Sequence, residues 1–492
     1  MPYGLKDIEL AKLNEVFAAN ERIERVILYG SRAKGNYKPF SDVDITLEGA
    51  ELTHTDLSRL SLAIDDLLLP YQFDISIFHT LKNEALIDHI RRMGITIYEK
   101  KSEWKEYKLG ELTIDGKGSY GIAAPAVDYD SNKYTYLRIT DINDDGTLNK
   151  SGLKSVDNKN AHKYLLQQND IVFARTGASV GRSYFYDERD GELVYAGFLI
   201  KYSIDPTKVN PKILKFYTHS QEYYDWIQTV DNGATRGNIN AQTYASMPII
   251  LPGRHKQDRI VSILSSLDDK IDLLHRENAT LEQMAETLFR QWFVVEAEEE
   301  WEEGKFGDIL SVKGGATPST KEPNFWDGDI AWTSPRDVTT LNGLYLFETE
   351  KKITQKGLEQ ISSGLLPAGT LLMSSRAPVG VLAFAEIPLA INQGYIAILD
   401  DKGYPKEFIY LWLKANMDLV HSYSNGSTFM EISKSAFKSL DIVIPTKAEV
   451  VGFVLSVKPF FEKIKLNEKQ IRLIIRQRDS LLPKLMSNEI NL

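Results

Sequence analysis

Two stretches decide the architecture of this chain: IVSILSSLDDKIDLLHRENATLEQMAETLFRQW at 260–292 and FVLSVKPFFEKIKLNEKQIRLIIRQRDSLLPKL at 453–485. In each stretch, positions spaced alternately four and three residues apart form a narrow seam that is apolar except at Asn278, Asn467 and Arg478. This spacing is typical of coiled-coil helices, whose seam faces a partner helix. We therefore predict two helices of about 40 residues, each roughly 60 Å long.

The two helices lie at equivalent places in an internal duplication. Val180-Gly181 recurs as Val379-Gly380, each a few residues after an arginine, Arg175 or Arg376. The other matching segments are 107–112 with 304–309, 196–200 with 393–397, 233–235 with 426–428, and 250–252 with 443–445. Each copy is thus a module followed by a long helix, which predicts a molecule with a pseudo-two-fold axis.

Helices of equal length in equivalent places are expected to pair, and a two-fold axis makes the pair antiparallel. In one register Asn278 lies opposite Asn467, and a buried amide pair would penalise slipped registers at some cost in stability. Pro483 is expected to end or kink the second helix. The alternative is two unrelated amphipathic helices, each packed on its own module. The narrow seams favour pairing, because such helices bury a broader stripe.

The composition limits the classes of function. The formal net charge of −10 argues against a surface covered with nucleic-acid-binding charge, although one basic face would still suffice for DNA. The chain has no cysteine and eight scattered histidines, which excludes disulfides and thiolate metal sites and argues against zinc. Because it has no apolar run of membrane-spanning length and no signal peptide, we expect a cytoplasmic protein without a membrane partner.

Residues 1–98 carry a separate pattern with its own chemistry. Gly30-Ser31 is followed, after a loop, by Asp42-Val43-Asp44, and Asp74 lies on a predicted neighbouring strand. Aspartates separated by one residue on a strand point to the same face. A Gly-Ser turn at a helix start can hold phosphate oxygens with backbone N–H groups, and the carboxylates can hold Mg²⁺.

This N-terminal stretch resembles the minimal nucleotidyltransferases, a family often found as antitoxins. The resemblance implies catalytic roles for Gly30, Ser31, Asp42, Asp44 and Asp74, with the three aspartates as metal ligands. It also implies Mg²⁺ and a nucleoside triphosphate, with ATP as the expected one, and transfer of AMP to a protein. The acceptor stays open: a toxin-like partner, a Tyr or Ser of this chain, or none. The alternative is a degenerate domain kept for binding.

Residues 101–492 resemble the specificity subunit of type I restriction–modification systems. The matching features are the proline-started helices at 251–252 and 444–445, the loop GATRGNIN at 233–240 and the closing LLPKL at 481–485. The resemblance implies two target-recognition domains that read a bipartite double-stranded DNA sequence. It further implies docking of two methyltransferase subunits and of restriction–translocase subunits. Those partners would supply S-adenosylmethionine, ATP and the chemistry, so the specificity region itself is expected to be non-catalytic.

The candidate DNA contacts lie in turns that follow predicted strands. They are Arg175, Thr176, Ser179, Arg182, Arg236, Asn238, Ser375 and Arg376. Arginine can bind guanine bidentately or clamp a phosphate. The alternative is that these turns only shape the modules. Loop 235–238 is basic whereas its counterpart 428–431 lacks a basic residue, which argues against one shared phosphate contact.

The predicted fold class is α/β (α+β): a small nucleotidyltransferase domain, then two α/β modules alternating with two long helices. The predicted boundaries are 1–98 for the nucleotidyltransferase-like domain, 104–252 and 303–445 for the recognition domains, and 253–295 and 446–486 for the helices. The predicted function is DNA specificity with a fused nucleotidyltransferase. Two alternatives remain: an antitoxin-like enzyme whose C-terminal region targets DNA, and a helical scaffold that does not bind DNA.

Overall fold

The computed structural model describes residues 2–38, 40–49, 52–100, 104–150, 152–231, 238–297, 301–376, 378–425, 430–487 and 489–490. The chain divides into two compact units. Unit 1 comprises Met1–Ile263 with Leu482–Leu492, and unit 2 comprises Leu264–Leu481.

The N-terminal domain of unit 1 is a small α/β fold. Its elements are α1 Asp7–Ala18, β1 Arg25–Leu28, α2 Gly30–Ala33, β2 Val43–Glu48, α3 His54–Asp65, β3 Phe73–Ile77, α4 Glu84–Met93 and β4 Ile95–Glu99. The strands form one sheet in the order β3-β2-β1-β4, in which β2 and β3 run parallel. Helices α1 and α3 pack Leu13, Phe17 and Leu60 onto the buried face of the sheet. The paired strands β2 and β3 are therefore supported by a packed core.

The first module follows in unit 1. Its elements are β5 Lys105–Lys108, β6 Ser119–Tyr120, β7 Ala126–Asp128, β8 Thr135–Leu137, β9 Lys154–Val156, β10 Asp170–Ala174, β11 Ser183–Phe185, β12 Leu193–Tyr195, β13 Leu199–Ser203, α5 Lys212–Tyr217, α6 Gln221–Asp231, α7 Ala241–Ala245 and β14 Pro248–Leu251. The central sheet has the order β11-β10-β13-β6. Strand β14 pairs with β5 and leads into the long helix α8 Arg254–Arg290, which continues as a π turn to Val295.

The second module lies in unit 2 and repeats this plan. Its elements are β15 Glu302–Lys305, α9 Phe306–Ile309, β16 Ser311–Gly314, β17 Trp326–Thr333, α10 Pro335–Thr339, β18 Tyr345–Leu346, β19 Lys351–Ile353, α11 Gln355–Leu358, β20 Leu371–Ser374, β21 Leu382–Ala385, β22 Leu389–Ile391, β23 Tyr395–Leu399, α12 Lys406–Ala415, α13 Met417–Ser422, α14 Lys434–Lys438, β24 Asp441–Ile444 and the long helix α15 Lys447–Met486. Both modules have an antiparallel central pair, a parallel side pair and an antiparallel closing pair before the helix. The predicted fold class is confirmed.

Strand registers align the two modules residue by residue. Ala174, which ends β10, pairs with Leu199 of β13, and Ser374, which ends β20, pairs with Tyr395 of β23. The sequence match of 196–200 with 393–397 is therefore wrong by one residue. The sequence match aligned Gly197 with Gly394, because both copies have a glycine there. The strand pairing shows that these two glycines are one position apart.

The second helix ends close to the predicted boundary of 486. Helix α15 ends at Met486, three residues beyond Pro483, so the proline lies within its last turn. Beyond the helix, the N–H of Ser487 donates to the Pro483 carbonyl and the N–H of Ile490 donates to the Lys484 carbonyl. Proline lacks only its own N–H, and a last turn can continue when few interior bonds are lost.

Within unit 2, α8 and α15 pack as an antiparallel pair. Positions 268, 278 and 289 of α8 contact positions 478, 467 and 453 of α15. Leu274, Ile471 and Ile474 form a buried cluster on the shared seam. Asn467, 1% exposed, donates its amide to the Asn278 side-chain oxygen at 2.8 Å and to a Glu277 carboxylate oxygen at 3.0 Å. The contact between Asn467 and Asn278 therefore fits this register of the two helices and would be lost in a slipped one.

The second module is fixed to α15 by a buried carboxylate. Glu468 accepts hydrogen bonds from the backbone N–H groups of Leu344 (2.7 Å) and Tyr345 (3.0 Å). Burial raises the pKa of Glu468 to about 7, although the two N–H groups lower it. The Tyr345 hydroxyl also donates to the Phe461 carbonyl on α15. These contacts hold the start of β18 against the helix.

We predict opposite effects for single and double replacement of the seam asparagines. Asn467→Leu leaves the half-buried Asn278 oxygen without its donor and should cost about 1 kcal/mol. Asn278→Leu with Asn467→Leu replaces both polar partners by apolar groups and should raise the Tm above wild type. Glu277 keeps an ion pair with Lys463 in both variants, at 3.5 Å in this structure. Thermal unfolding measures stability, and faster hydrogen exchange in α8 and α15 of the double variant would report a looser register. A strongly destabilised double variant would contradict a register set by this pair.

Candidate functional sites

The carboxylates of the N-terminal domain meet at one edge of the sheet. Asp44 on β2 is in register with Asp74 on the parallel strand β3, and Asp42 immediately precedes β2. Burial raises the pKa of Asp44 above its usual range, and the charges of Asp74 and Asp42 raise it further. Both neighbours are therefore close enough to Asp44 for their charges to repel its own, which an ion or a bound cationic group would relieve.

Gly30 closes the site from the side of β1. It starts the short helix α2 directly after Tyr29 and has a φ of +74°. A Cβ atom at Gly30 would lie 2.0 Å from the Asp44 carboxylate oxygen Oδ2. Only glycine therefore allows the Gly30-Ser31 turn to approach Asp44 this closely.

Arg32 sets the position of the loop that carries Asp42, a role that the sequence did not reveal. Its buried guanidinium donates to the carbonyls of Ser41 (2.7 Å), Asp42 (3.1 Å) and Tyr3 (3.0 Å). It also lies over the Tyr71 ring, 4.8 Å from the centroid. The guanidinium thereby connects three backbone segments that are distant in sequence.

The donor chemistry of this edge fits a hard cation. Among the described residues, no group of three or more His, Cys, Asp or Glu side chains is arranged to hold a metal ion by itself. Mg²⁺ is usually held by one or two carboxylates together with waters and substrate phosphates. Carboxylates that repel one another beside a glycine turn match that partial ligand set.

The N-terminal domain contacts the base of α8 through an ion pair and a histidine–carboxylate contact. Arg259 contacts Glu99 at 3.2 Å, and His255 contacts Glu48 at 3.4 Å. Burial raises the pKa of Glu48, but hydrogen bonds and charge from His255 and Arg25 lower it more, so the net shift is downward. Glu48 ends β2, roughly 13 Å along the strand from the acidic edge. The acidic edge and this docking contact therefore lie at opposite ends of β2.

In the first module, Arg175 directly follows β10 and is held by two side chains. Its Nε donates to the Asn238 side-chain oxygen at 3.3 Å. Its guanidinium lies over the ring of Tyr120, 4.9 Å from the centroid, and Tyr120 is 43% exposed. The structure thus brings together two predicted residues, Arg175 and Asn238, with an aromatic residue that the sequence pattern did not single out.

The other described residues predicted in this turn make contacts within the module. Arg182 forms an ion pair with Asp144 at 2.7 Å and donates to the Ile142 carbonyl at 3.0 Å, so it ties down a neighbouring loop. Ser179 is buried within the turn. Thr176 forms a backbone bridge with Asn238. Arg236 lies outside the described residues.

The second module does not repeat the arginine at the same place. The residue after β20, equivalent to Arg175, is Ser375, whose buried hydroxyl has no recorded hydrogen-bond partner. Arg376 is equivalent to Thr176, because it forms the matching backbone bridge, with Glu431. The two arginines are therefore offset by one position, although the sequence suggested that they correspond.

Comparison with known families decides the identity of the larger part of the chain. Residues 101–283 and 298–476 match the family described as type I restriction modification DNA specificity domain. The chain belongs to this family. Residues 11–103 match the polymerase beta nucleotidyltransferase family. Both resemblances suggested by the sequence are thus confirmed.

The chain is also similar to individual specificity subunits. It is 34% identical over 187 residues to the type I restriction enzyme MjaIX specificity subunit of Methanocaldococcus jannaschii, covering 38% of this chain and 43% of that protein. It is 24% identical over 476 residues to the HindI specificity subunit of Haemophilus influenzae, covering 79% of this chain and 100% of that protein. A solved S subunit from M. genitalium matches 79% of this chain and 97% of its own, with 15% identity and a TM-score of 0.46.

No helix in the described ranges is long and apolar enough to cross a membrane.

We predict that removing the charge of Asp44 stabilises the N-terminal domain. Asp44→Asn abolishes a half-buried charge that two neighbours repel, so the Tm of this domain should rise by about 1–3 °C at neutral pH. Because the folded-state pKa of Asp44 is raised, ionisation costs stability only as pH rises through that pKa. The gain should therefore vanish in acid. Asp42→Asn, at an exposed position, is the matched control and should change the Tm less. Equal shifts for both variants would contradict this electrostatic account.

Proposed function

We propose that this chain is the DNA-reading subunit of a type I restriction–modification complex, with each module reading one half of a bipartite target. The observation that carries the proposal is that the two modules share one arrangement of strands, whereas the turns after β10 and β20 differ in chemistry. One turn places an arginine where the other places a serine. Two divergent readers built on one plan suit a target with two unlike half-sites.

The helix pair would set the distance between the half-sites. An α-helix rises about 1.5 Å per residue, so the length between the modules converts directly into base pairs. Two methyltransferase subunits would dock on the chain and bring S-adenosylmethionine. Restriction–translocase subunits would bring ATP hydrolysis and cleavage. The net charge of −10 supports a role for such partners in holding the duplex.

We further propose that the N-terminal domain is a Mg²⁺-dependent nucleotidyltransferase using a triphosphate such as ATP. Asp42, Asp44 and Asp74 would hold the metal, which would orient the phosphates and stabilise the transferring group. The Gly30-Ser31 backbone would hold phosphate oxygens. The acidic edge lies at the other end of β2 from the contact with α8, which favours an acceptor on a separate protein, such as a toxin-like partner.

Methylation mapping in the source organism tests the specificity role. With the chain present, methylated sites should define one split sequence with two specific parts and a fixed spacer. Deletion of the gene should remove methylation at that sequence alone. Methylation that is unchanged by the deletion would refute the specificity role and favour a scaffold that does not bind DNA.

Incubation of the full chain with labelled ATP and Mg²⁺, in the presence of lysate from the source organism, tests the enzyme. Label should pass to a protein with wild type and be lost with Asp42→Ala/Asp44→Ala. Gly30→Ala and Gly35→Ala form a matched pair, because both glycines have a φ of +74° but only at Gly30 does a Cβ meet Asp44. Gly30→Ala should abolish transfer, and Gly35→Ala should keep most of it. Transfer that survives loss of both aspartates would refute this site.

A further inference from the structure

We propose that Arg175 reads a guanine in the half-site of the first module, held in its reading position by Tyr120 and Asn238. This inference rests on the proposed DNA-specificity function. It adds the base that is read, the residues that read it, and a difference between the two half-sites.

The charge of Arg175 is available, whereas that of its neighbour is not. Arg182, the other candidate arginine of this turn, is neutralised by Asp144 at 2.7 Å. Across the described parts of the chain, no carboxylate forms an ion pair with Arg175. An arginine on a turn with an uncompensated guanidinium is suited to bind an electron-rich partner.

Two contacts fix the plane of the Arg175 guanidinium, and bidentate binding to a base needs such a fixed plane. Asn238 takes the Nε hydrogen, and the Tyr120 ring supports the face of the guanidinium. These contacts leave both terminal nitrogens, Nη1 and Nη2, to donate side by side. Two parallel donors in a fixed plane match the O6 and N7 acceptors of guanine in the major groove. A phosphate can accept from the same two donors, but only a contact with a base makes binding depend on the DNA sequence at that position.

Tyr120 is itself held by the module. It pairs with Ile200 in the ladder between β6 and β13, and its hydroxyl accepts the N–H of Ala241 at the start of α7. Asn240, which precedes that helix, caps it by accepting from Thr243 at 2.9 Å. Tyr120 is therefore a positioning residue that acts through Arg175.

The second module lacks all three parts at the equivalent positions. Ser375 replaces Arg175, Glu431 replaces Asn238, and Gly314, which pairs with Ile396, replaces Tyr120. The corresponding half-site is therefore not read in this way, and loss of the Arg175 contact should alter one half of the target only.

Methylation mapping of chromosomal variants tests the inference. The wild-type target should contain a G·C pair in one half that becomes degenerate with Arg175→Lys, because lysine keeps the charge but cannot donate side by side from a fixed plane. Tyr120→Leu should relax the same position, whereas Tyr120→Phe, which keeps the ring, should keep it specific. Arg376→Lys, which alters the second module, should leave the half-site that contains this G·C pair unchanged.

If a variant abolishes methylation altogether, competition binding with the purified full chain decides the outcome. Duplexes carrying each base pair at the guanine position should differ by about 10- to 100-fold for wild type and little for Arg175→Lys. An unchanged target with Arg175→Lys, together with uniformly weaker methylation with Arg175→Ala, would show a phosphate contact and overturn the inference. A half-site without any variant-sensitive G·C pair would also overturn it. Absence of a split target in wild type would instead refute the proposed function.

Discussion

The antiparallel packing of α8 on α15 is the constraint on which the specificity region depends. Each helix emerges directly from the closing strand of its module, β14 or β24. Neither helix would be a stable 60 Å element in water unless its apolar face were buried. The seam from Leu274 to Asn278 supplies that burial against Ile471, Ile474 and Asn467. A buried amide pair contributes less stability than leucine would, but it specifies which residues face each other.

The N-terminal domain shows the opposite use of polar groups. On the helix seam Asn467 donates a hydrogen bond to Asn278, whereas at the acidic edge the charges of Asp74 and Asp42 repel that of Asp44. Such an arrangement costs stability in the free chain and is typical of a site kept for a charged ligand. The charge of Arg32 limits the cost, because it lowers the pKa of Asp44, while its guanidinium donates to the Ser41 and Asp42 carbonyls.

Much of this could be predicted from the sequence, because the signals are local or periodic. Heptad spacing predicted the helices, and the spacing of Gly30, Asp42 and Asp44 predicted the nucleotidyltransferase domain. What the sequence missed depends on contacts between distant segments. Arg32 contacts Tyr3 and Tyr71, Glu468 contacts Leu344, and Arg175 lies on Tyr120. The one-residue offset between Arg175 and Arg376 was missed because strand pairing, not residue identity, fixes which positions correspond.

Insertion of one heptad tests most directly the proposal that helix length sets the spacing of the two half-sites. Seven residues added beside Leu274 in α8 and beside Ile471 in α15 keep the facing seams in phase and lengthen both helices by about 10.5 Å. Since B-DNA rises about 3.4 Å per base pair, methylation mapping should find the same two half-sites with a spacer longer by about three base pairs. An active variant whose spacer is unchanged would contradict the claim.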